Sequence, residues 1–301
     1  MSELRAWVQA SRPLAQGNIA LPLWLGQALA YQHGYEVAWL TFAALLLWGI
    51  LDQLLIVFVN DLADEETDAD NHTYGFASGG SRVLVEGKLT RRALARAAWS
   101  AGIALGLYSS LLSWALSRPY LWLAWPAAVL LIGAYSLRPV RASYRRGGEL
   151  LPAIGMGIVL PTLGYYAQAN TLEGLGGVAL VSAALFGLAG NITTALPDRP
   201  SDARAEKRTV AVVLGGRRAQ VLSLVVLIAG ITSATLAYDA DSIASIIVIT
   251  LPAAALVLVN LIVVFDPKGE DPKACRRFVA RNLIAQSLAL GGWIVCALVG
   301  L

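Results

Sequence analysis

Residues 38–60 read AWLTFAALLLWGILDQLLIVFVN, and the chain continues through residue 68 as DLADEETD. The first stretch carries one ionisable side chain, Asp52. A helix of about 20 apolar residues is long enough to cross the hydrocarbon core of a bilayer. The second stretch adds five acidic residues in eight positions. Together they predict a membrane-spanning helix that ends in an acidic cluster at the bilayer surface.

Similar apolar runs recur along the whole chain of 301 residues. Hydrophobic residues make up 57% and charged residues 14%, and the mean hydropathy is +0.61. An average soluble domain has roughly 45–50% and 25%. Because the alternating short strands of a membrane barrel are absent, we predict an all-α polytopic membrane protein. The net charge of +3 does not indicate a nucleic-acid partner, since no binding module is recognisable.

The apolar runs between charged or Gly/Pro-rich breaks predict nine transmembrane helices in one bundle. The predicted segments are 13–31, 38–60, 93–116, 120–137, 151–168, 174–195, 218–237, 243–265 and 282–300. Because no linker separates them, residues 1–301 are expected to form a single domain.

The basic residues set the orientation of these helices. All but one of the 23 Lys and Arg residues fall before the first segment or after an even-numbered one, Arg118 being the exception. Cytoplasmic loops carry an excess of these residues. The sequence therefore predicts a cytoplasmic N-terminus and an outside C-terminus, in the bacterial inner membrane. We expect the chemistry at the cytoplasmic face, where the polar residues lie.

The first acidic motif gathers oxygen ligands on one helix face. At 100° per residue, Asn60, Asp64, Asp68 and Asp61 fall within a 100° arc if the second helix continues. Carboxylates packed this closely repel each other unless cations neutralise them, and hard oxygen ligands suit Mg²⁺. The alternative at this point is a solvated acidic helix end that binds nothing.

A second acidic motif follows the sixth predicted helix. Asp198 and Asp202 are again four residues apart, and Asn191 lies two turns earlier on nearly the same face. Two such clusters on the same side of the membrane can hold two or more Mg²⁺ ions around one diphosphate.

Three basic residues stand out beside these motifs. Arg82 lies in a small-residue loop, and Lys207 and Arg208 closely follow Asp202. Cations there would offset the negative charge that develops on a departing diphosphate. The alternative for each is a role in membrane orientation alone.

These features resemble the UbiA superfamily of intramembrane prenyltransferases. The shared features are Asn-Asp-x-x-Asp-x-x-x-Asp after helix two, Asp-x-x-x-Asp after helix six, and nine helices between termini on opposite sides. The stretches Gly80–Gly87 (GSRVLVEG) and Lys207–Gly215 (KRTVAVVLG) look closest to 1,4-dihydroxy-2-naphthoate prenyltransferases.

The resemblance implies Mg²⁺-dependent transfer of a prenyl group from its diphosphate to a small aromatic acceptor in quinone-type lipid biosynthesis, through an allylic carbocation. It implies catalytic roles for Asp61, Asp64, Asp198 and Asp202. The implied metal ligands are Asn60, Asp61, Asp64, Asp68, Asp198 and Asp202. The implied diphosphate-binding residues are Asn60, Arg82, Tyr144, Asn191, Lys207 and Arg208.

Two other functions stay open on the sequence. A terpene cyclase on the same fold would use the same ionising residues and need no acceptor. A small-molecule transporter would place ionisable residues at mid-membrane, and Asp52 is the strong candidate for such a residue. Asp52 could also deprotonate an acceptor phenol or accept a hydrogen bond from a neighbouring helix.

Overall fold

The computed structural model describes residues 3–72, 79–238, 243–266 and 271–300, and this part of the chain is helical with no β-strand. The prediction of an all-α protein is confirmed. The helices are α1 (Glu3–Ser11), α2 (Gly17–Gln32), α3 (Trp39–Ala69), α4 (Arg91–Ala115), α5 (Leu121–Ser136), α6 (Leu150–Ala169), α7 (Gly177–Thr194), α8 (Arg199–Arg204), α9 (Val210–Leu214), α10 (Gly216–Ala237), α11 (Ile243–Phe265) and α12 (Pro272–Val299).

Each predicted apolar segment overlaps one of the longer described helices, although several ends differ. The first begins at Gly17, because Arg12 adopts a left-handed conformation and Pro13 starts a separate short turn. Thr90 caps α4 by accepting a hydrogen bond from the Ala93 N–H at 3.2 Å. The last helix begins at Pro272, ten residues before the predicted start, since Pro is well suited to the first turn of a helix.

Six described helices are long and apolar enough to cross a membrane, namely α3, α6, α7, α10, α11 and α12, and α5 is a shorter apolar helix. Helix α4 exposes a stripe of large apolar side chains at four-residue spacing, Trp99, Ile103, Leu107 and Leu111. Such a stripe suits contact with lipid, since soluble monomers rarely expose contiguous apolar patches of this kind. The protein is an integral membrane protein. Crossing by all nine segments and the sides of the termini stay predictions.

Small residues allow the helices to pack closely. A Cβ added at Gly26 of α2 would overlap the Pro161 carbonyl of α6, and one at Gly157 would overlap the Ala184 backbone of α7. Close approach of backbones at small residues is a principal source of helix association in membranes. The resulting bundle encloses a cavity of about 900 Å³ that is lined by α2, α3, α5, α6, α7 and α12.

Candidate active site

The first acidic motif lies on helix rather than in a loop, because α3 continues to Ala69. Asn60, Asp64 and Asp68 line the cavity, as their shared helical face predicts. The Asn60 amide donates a hydrogen bond to Asp64 Oδ2 at 3.3 Å. One turn of helix therefore separates each of these oxygen-bearing side chains from the next.

Asp61 has a different environment from its neighbours in the motif. Its carboxylate pairs with Arg12, and it accepts hydrogen bonds from the Ser81 hydroxyl and from the Ser81 N–H, the latter at 3.2 Å. Asp61 is 3% exposed and does not belong to the described wall of the cavity. It thus ties the segment that precedes α2 and the loop after α3 to the acidic helix end.

The second acidic motif occupies a break in the helical path. Helix α7 ends at Thr194, and the short α8 begins at Arg199 with Pro200 in its first turn. Asp198 and Asp202 both line the cavity, as does Asn191, whose amide donates to the Gly187 carbonyl at 2.7 Å.

The two motifs converge at one end of the cavity. The Asn71 amide, just beyond α3, donates to Asp198 Oδ1 at 2.6 Å, and the Gly79 N–H donates to Asp198 Oδ2 at 3.2 Å. Lys207 Nζ lies 3.1 Å from Asp64 Oδ1 and 3.5 Å from Asp202 Oδ1. One buried lysine therefore links the acidic residues of both motifs.

Lys207 is held by its charged neighbours and by an aromatic ring. Burial lowers its pKa, but the carboxylates of Asp64 and Asp202 outweigh burial and raise the pKa above its ordinary value, so the side chain is cationic. Its Nζ lies 4.8 Å from the centre of the Tyr144 ring. A cation at this distance from an aromatic face is attracted by the ring quadrupole.

Tyr144 and Arg208 support this end of the cavity from outside its wall. The Tyr144 hydroxyl lies 2.8 Å from the Thr67 hydroxyl on α3, and its carbonyl accepts a hydrogen bond from the Arg208 N–H at 3.2 Å. The Arg141 guanidinium lies 3.5 Å from the ring centre. Thr67 lines the described cavity wall, whereas Tyr144, Arg141 and Arg208 do not.

The loop from Gly79 to Arg82 is fitted closely against α3; Ser78 lies outside the described residues. Gly80 has a φ of +67°, and a Cβ there would overlap the Asp68 carboxylate. Arg82 also has a positive φ, and its Nη1 donates to the Asp68 carbonyl at 2.7 Å and the Asn71 carbonyl at 3.3 Å. Arg82 thus fixes the end of α3 and is absent from the described wall of the cavity.

Burial changes the acidity of the second motif. Burial and the nearby Asp202 carboxylate raise the pKa of Asp198 to about 7, although hydrogen bonds from Asn71 and Gly79 lower it. Burial also raises the pKa of Asp202, against the lowering effect of Lys207. Burial thus disfavours the ionised form of both carboxylates, and a bound cation would stabilise that form.

The acidic residues of the cavity fit an Mg²⁺ ion that is also held by substrate phosphates. Asp64, Asp68, Asp198 and Asp202 offer only oxygen, which Mg²⁺ prefers. Among the residues that the structure describes, no three His, Cys, Asp or Glu side chains form a ready-made metal cluster. Mg²⁺ is usually held by one or two carboxylates together with substrate phosphates, so this incomplete protein site suits it.

Several residues that the sequence interpretation missed belong to this end of the cavity. Arg12 and Asn71 bond to the acidic motifs, and Tyr135 and Glu149 line the cavity wall. Glu149 accepts a hydrogen bond from the Val210 N–H at 2.6 Å, just after the Lys207 segment. The Arg12-Pro13 pair was a usable signal, because Arg12 immediately precedes a helix break.

Comparison with known proteins places this geometry in a family. The profile of the UbiA prenyltransferase family matches residues 19–295. A 1,4-dihydroxy-2-naphthoate octaprenyltransferase of Mycobacterium tuberculosis is 30% identical over 227 residues, which cover 74% of each chain. A lycopene elongase/hydratase of Corynebacterium glutamicum is 26% identical over 241 residues, which cover 78% of this chain and 79% of that protein.

Solved structures agree on the fold. The structure of a UbiA homolog from Archaeoglobus fulgidus bound to GPP and Mg²⁺ has a TM-score of 0.61 and 16% identity, and the match covers 98% of this chain and 99% of that one. The resemblance found in the sequence is confirmed, because the family profile covers nearly the whole chain. The protein belongs to the UbiA prenyltransferase family and is a membrane-bound prenyltransferase.

Proposed function

We propose that the protein transfers a prenyl group from a prenyl diphosphate to a small aromatic acceptor in an Mg²⁺-dependent reaction. The observation that carries this proposal is the convergence of Asp64 and Asp202 on Lys207 at the polar end of a largely apolar cavity, whose wall also includes Asp198. The relative from A. fulgidus, whose structure is described as bound to GPP and Mg²⁺, supports the choice of substrate and metal.

Asn60, Asp64, Asp68, Asp198 and Asp202 are the proposed metal ligands, since all of them line the cavity. When bound there, Mg²⁺ would neutralise the diphosphate and make it a better leaving group. The family resemblance implied that Asp61 is a metal ligand, but in this proposal Asp61 has a positioning role. Its carboxylate already holds Arg12 and Ser81.

Basic residues are proposed to complete the diphosphate site. Lys207 faces the cavity and offers a cation to the phosphates once Mg²⁺ shares its carboxylate partners. Arg82 and Arg208 are proposed to act from behind the wall, Arg82 by fixing the end of α3 and Arg208 through Tyr144. Asn191 contributes a neutral amide.

The apolar part of the cavity is proposed to hold the isoprenoid tail. Its wall includes Leu131, Met156, Val159 and Leu160. Such a wall excludes water while the C–O bond breaks, the electron pair leaves with the diphosphate, and the allylic cation forms. An electron-rich ring then forms the new C–C bond and loses a proton. Exclusion of water prevents hydrolysis of the reactive cation.

The aromatic acceptor and a place in quinone-type biosynthesis are supported by the name of the M. tuberculosis relative. We further propose nine membrane crossings, a cytoplasmic N-terminus and an outside C-terminus. The near-total confinement of Lys and Arg to one side supports this topology in the bacterial inner membrane. The active site then lies at the cytoplasmic face.

Product analysis by mass spectrometry tests the proposal. Purified protein is incubated with a prenyl diphosphate, with or without Mg²⁺, and with 1,4-dihydroxy-2-naphthoate, 4-hydroxybenzoate or no acceptor. Asp64→Asn is compared with Glu65→Gln, because Glu65 is the next residue but pairs with Arg91 and is absent from the cavity wall. A prenylated ring is expected only with metal and acceptor, and it is expected to be lost in Asp64→Asn alone.

Other products would redirect the assignment. A cyclic terpene formed without acceptor would favour the cyclase. In a parallel incubation with an added polyene, prenylation of that polyene would favour an isoprenoid acceptor. No consumption of any prenyl diphosphate under these conditions would refute the proposal.

A further inference from the structure

Two adjacent polar side chains lie in the cavity without a role in the diphosphate site. Asp52 and Gln53 of α3 are 4% and 5% exposed, and both line the cavity wall. Asp52 Oδ1 is buried with no hydrogen-bond partner among the described residues. The Gln53 side chain likewise makes no hydrogen bond or ion pair within that part of the protein.

Helix geometry sets this pair in the deep part of the cavity, on the wall that carries the metal site. Gln53 precedes Asn60 by seven residues, so it lies about 10 Å deeper along α3 and within about 20° of the same face. Trp48 lies one turn deeper than Asp52 and also lines the cavity. The Ser109 hydroxyl fixes the Trp48 indole by accepting its N–H at 2.8 Å.

A buried carboxyl oxygen without a hydrogen-bond partner at this depth is costly. Burying a polar group without a hydrogen bond is unfavourable, and ionisable residues within membrane helices are rare and usually functional. An isoprenoid tail is a hydrocarbon and cannot satisfy either group. A hydroxyl can donate to the Asp52 carboxyl and accept from the Gln53 amide at once.

We infer that Asp52 and Gln53 form a subsite for a ring hydroxyl of the acceptor, at the end of the ring remote from the diphosphate. This inference rests on the aromatic acceptor proposed above and specifies how that acceptor is oriented. The Trp48 side chain provides an apolar aromatic surface beside the pair. A carboxylate on the same acceptor points away from Asp52, toward the cationic residues of the diphosphate site, because like charges repel at this depth.

A pair of ligands that differ in one hydroxyl tests the subsite directly. Binding of 1,4-dihydroxy-2-naphthoate and of 1-hydroxy-2-naphthoate is followed by ligand fluorescence under anaerobic conditions. The proteins are the wild type, Asp52→Leu, Gln53→Leu and the control Gln286→Leu. Gln286 is a buried glutamine on the same cavity but on α12, so it reports the effect of the same substitution elsewhere.

The wild type is expected to bind the dihydroxy ligand at least about tenfold more tightly, because a site built for a hydroxyl rejects the analogue that lacks it. Asp52→Leu and Gln53→Leu should bring this ratio close to one, and Gln286→Leu should keep it. The KM for the prenyl diphosphate, measured as diphosphate release, should be unchanged in Asp52→Leu and Gln53→Leu.

The outcomes separate this inference from the proposed function. If both naphthoates bind and are prenylated but every variant keeps the wild-type ratio, the subsite is refuted and the transferase assignment stands. If neither naphthoate binds to the wild type, a naphthoate acceptor is refuted and the subsite with it. A change in the prenyl diphosphate KM of similar size would show that the pair supports the fold or the donor instead.

Discussion

Replacement of Lys207 by methionine removes the cation that links the two acidic motifs. Its Nζ lies 3.1 Å from Asp64 and 3.5 Å from Asp202, and its side chain is only 8% exposed. At an effective dielectric constant of about 20, each contact corresponds to about 5 kcal/mol of gross attraction. Much of this offsets desolvation, and loss of one partner from a buried ion pair typically costs about 3–5 kcal/mol.

The expected result of Lys207→Met is a Tm lower by about 6–10 °C, at roughly 2 °C per kcal/mol for a chain of this size. Mg²⁺ should recover part of this loss, because a bound cation replaces the missing charge and stabilises the folded state by mass action. The assay is thermal unfolding of detergent-purified protein with and without Mg²⁺.

Lys88→Met is the matched control. Lys88 pairs with Glu86, but these side chains are 26% and 32% exposed, and such surface pairs contribute about 0.5 kcal/mol. Its Tm should fall by about 1 °C and should not depend on Mg²⁺. The reasoning is refuted if Lys207→Met loses no more than this control, or if Mg²⁺ leaves its deficit unchanged.

Three further predictions concern single residues. Because the pKa of Asp198 is about 7, protons compete with Mg²⁺ for its carboxylate below that pH. Mg²⁺ affinity, measured by calorimetry, should therefore fall about tenfold from pH 8 to pH 6, and Asp198→Asn should flatten this dependence. Gly80→Ala should lower the free energy of unfolding by at least about 1–2 kcal/mol, because Gly80 has a left-handed backbone and an added Cβ would overlap the Asp68 carboxylate. Gly133→Ala should not lower it, since nothing lies within 4 Å of its added Cβ, and equal stabilities of the two variants would contradict this argument. Arg12→Ala should lower the free energy of unfolding by about 3–5 kcal/mol, because the buried Asp61 carboxylate loses its ion-pair partner. Arg12→Lys should restore only part of this free energy, since lysine lacks the planar guanidinium, and full recovery would show that charge alone matters.

The sequence predicted the helices well because apolar runs and charged breaks are local signals. Its helical arc for Asn60, Asp64 and Asp68 agrees with their common position on the cavity wall. The same arc included Asp61, yet a single 100° step turns that residue toward Arg12 and Ser81. A helical projection gives the direction of each side chain around the helix, but the packing of the other segments determines which residue that side chain contacts.

Contacts between distant segments could not be predicted in this way. Asn71 meets Asp198 across 127 residues, and Arg12 meets Asp61 across 49. Nothing in the sequence marked Arg12 as the partner of Asp61, since charge counting cannot distinguish a loop arginine from a buried partner. The cost of burying a carboxyl singled out Asp52 in the sequence, but the lack of a partner for its Oδ1 is visible only in the assembled bundle.

The link from Lys207 to Asp64 also bears on how the protein is made. The two residues are 143 positions apart, and the chain between them includes two of the helices apolar enough to span a membrane, α6 and α7. Insertion proceeds from the N-terminus, so Asp64 has no lysine partner until about two thirds of the chain has been synthesised. During that interval the early helices cannot yet hold a competent pocket. The charge pairing of the pocket is therefore completed late, and its wall later still, because α12 begins only at Pro272.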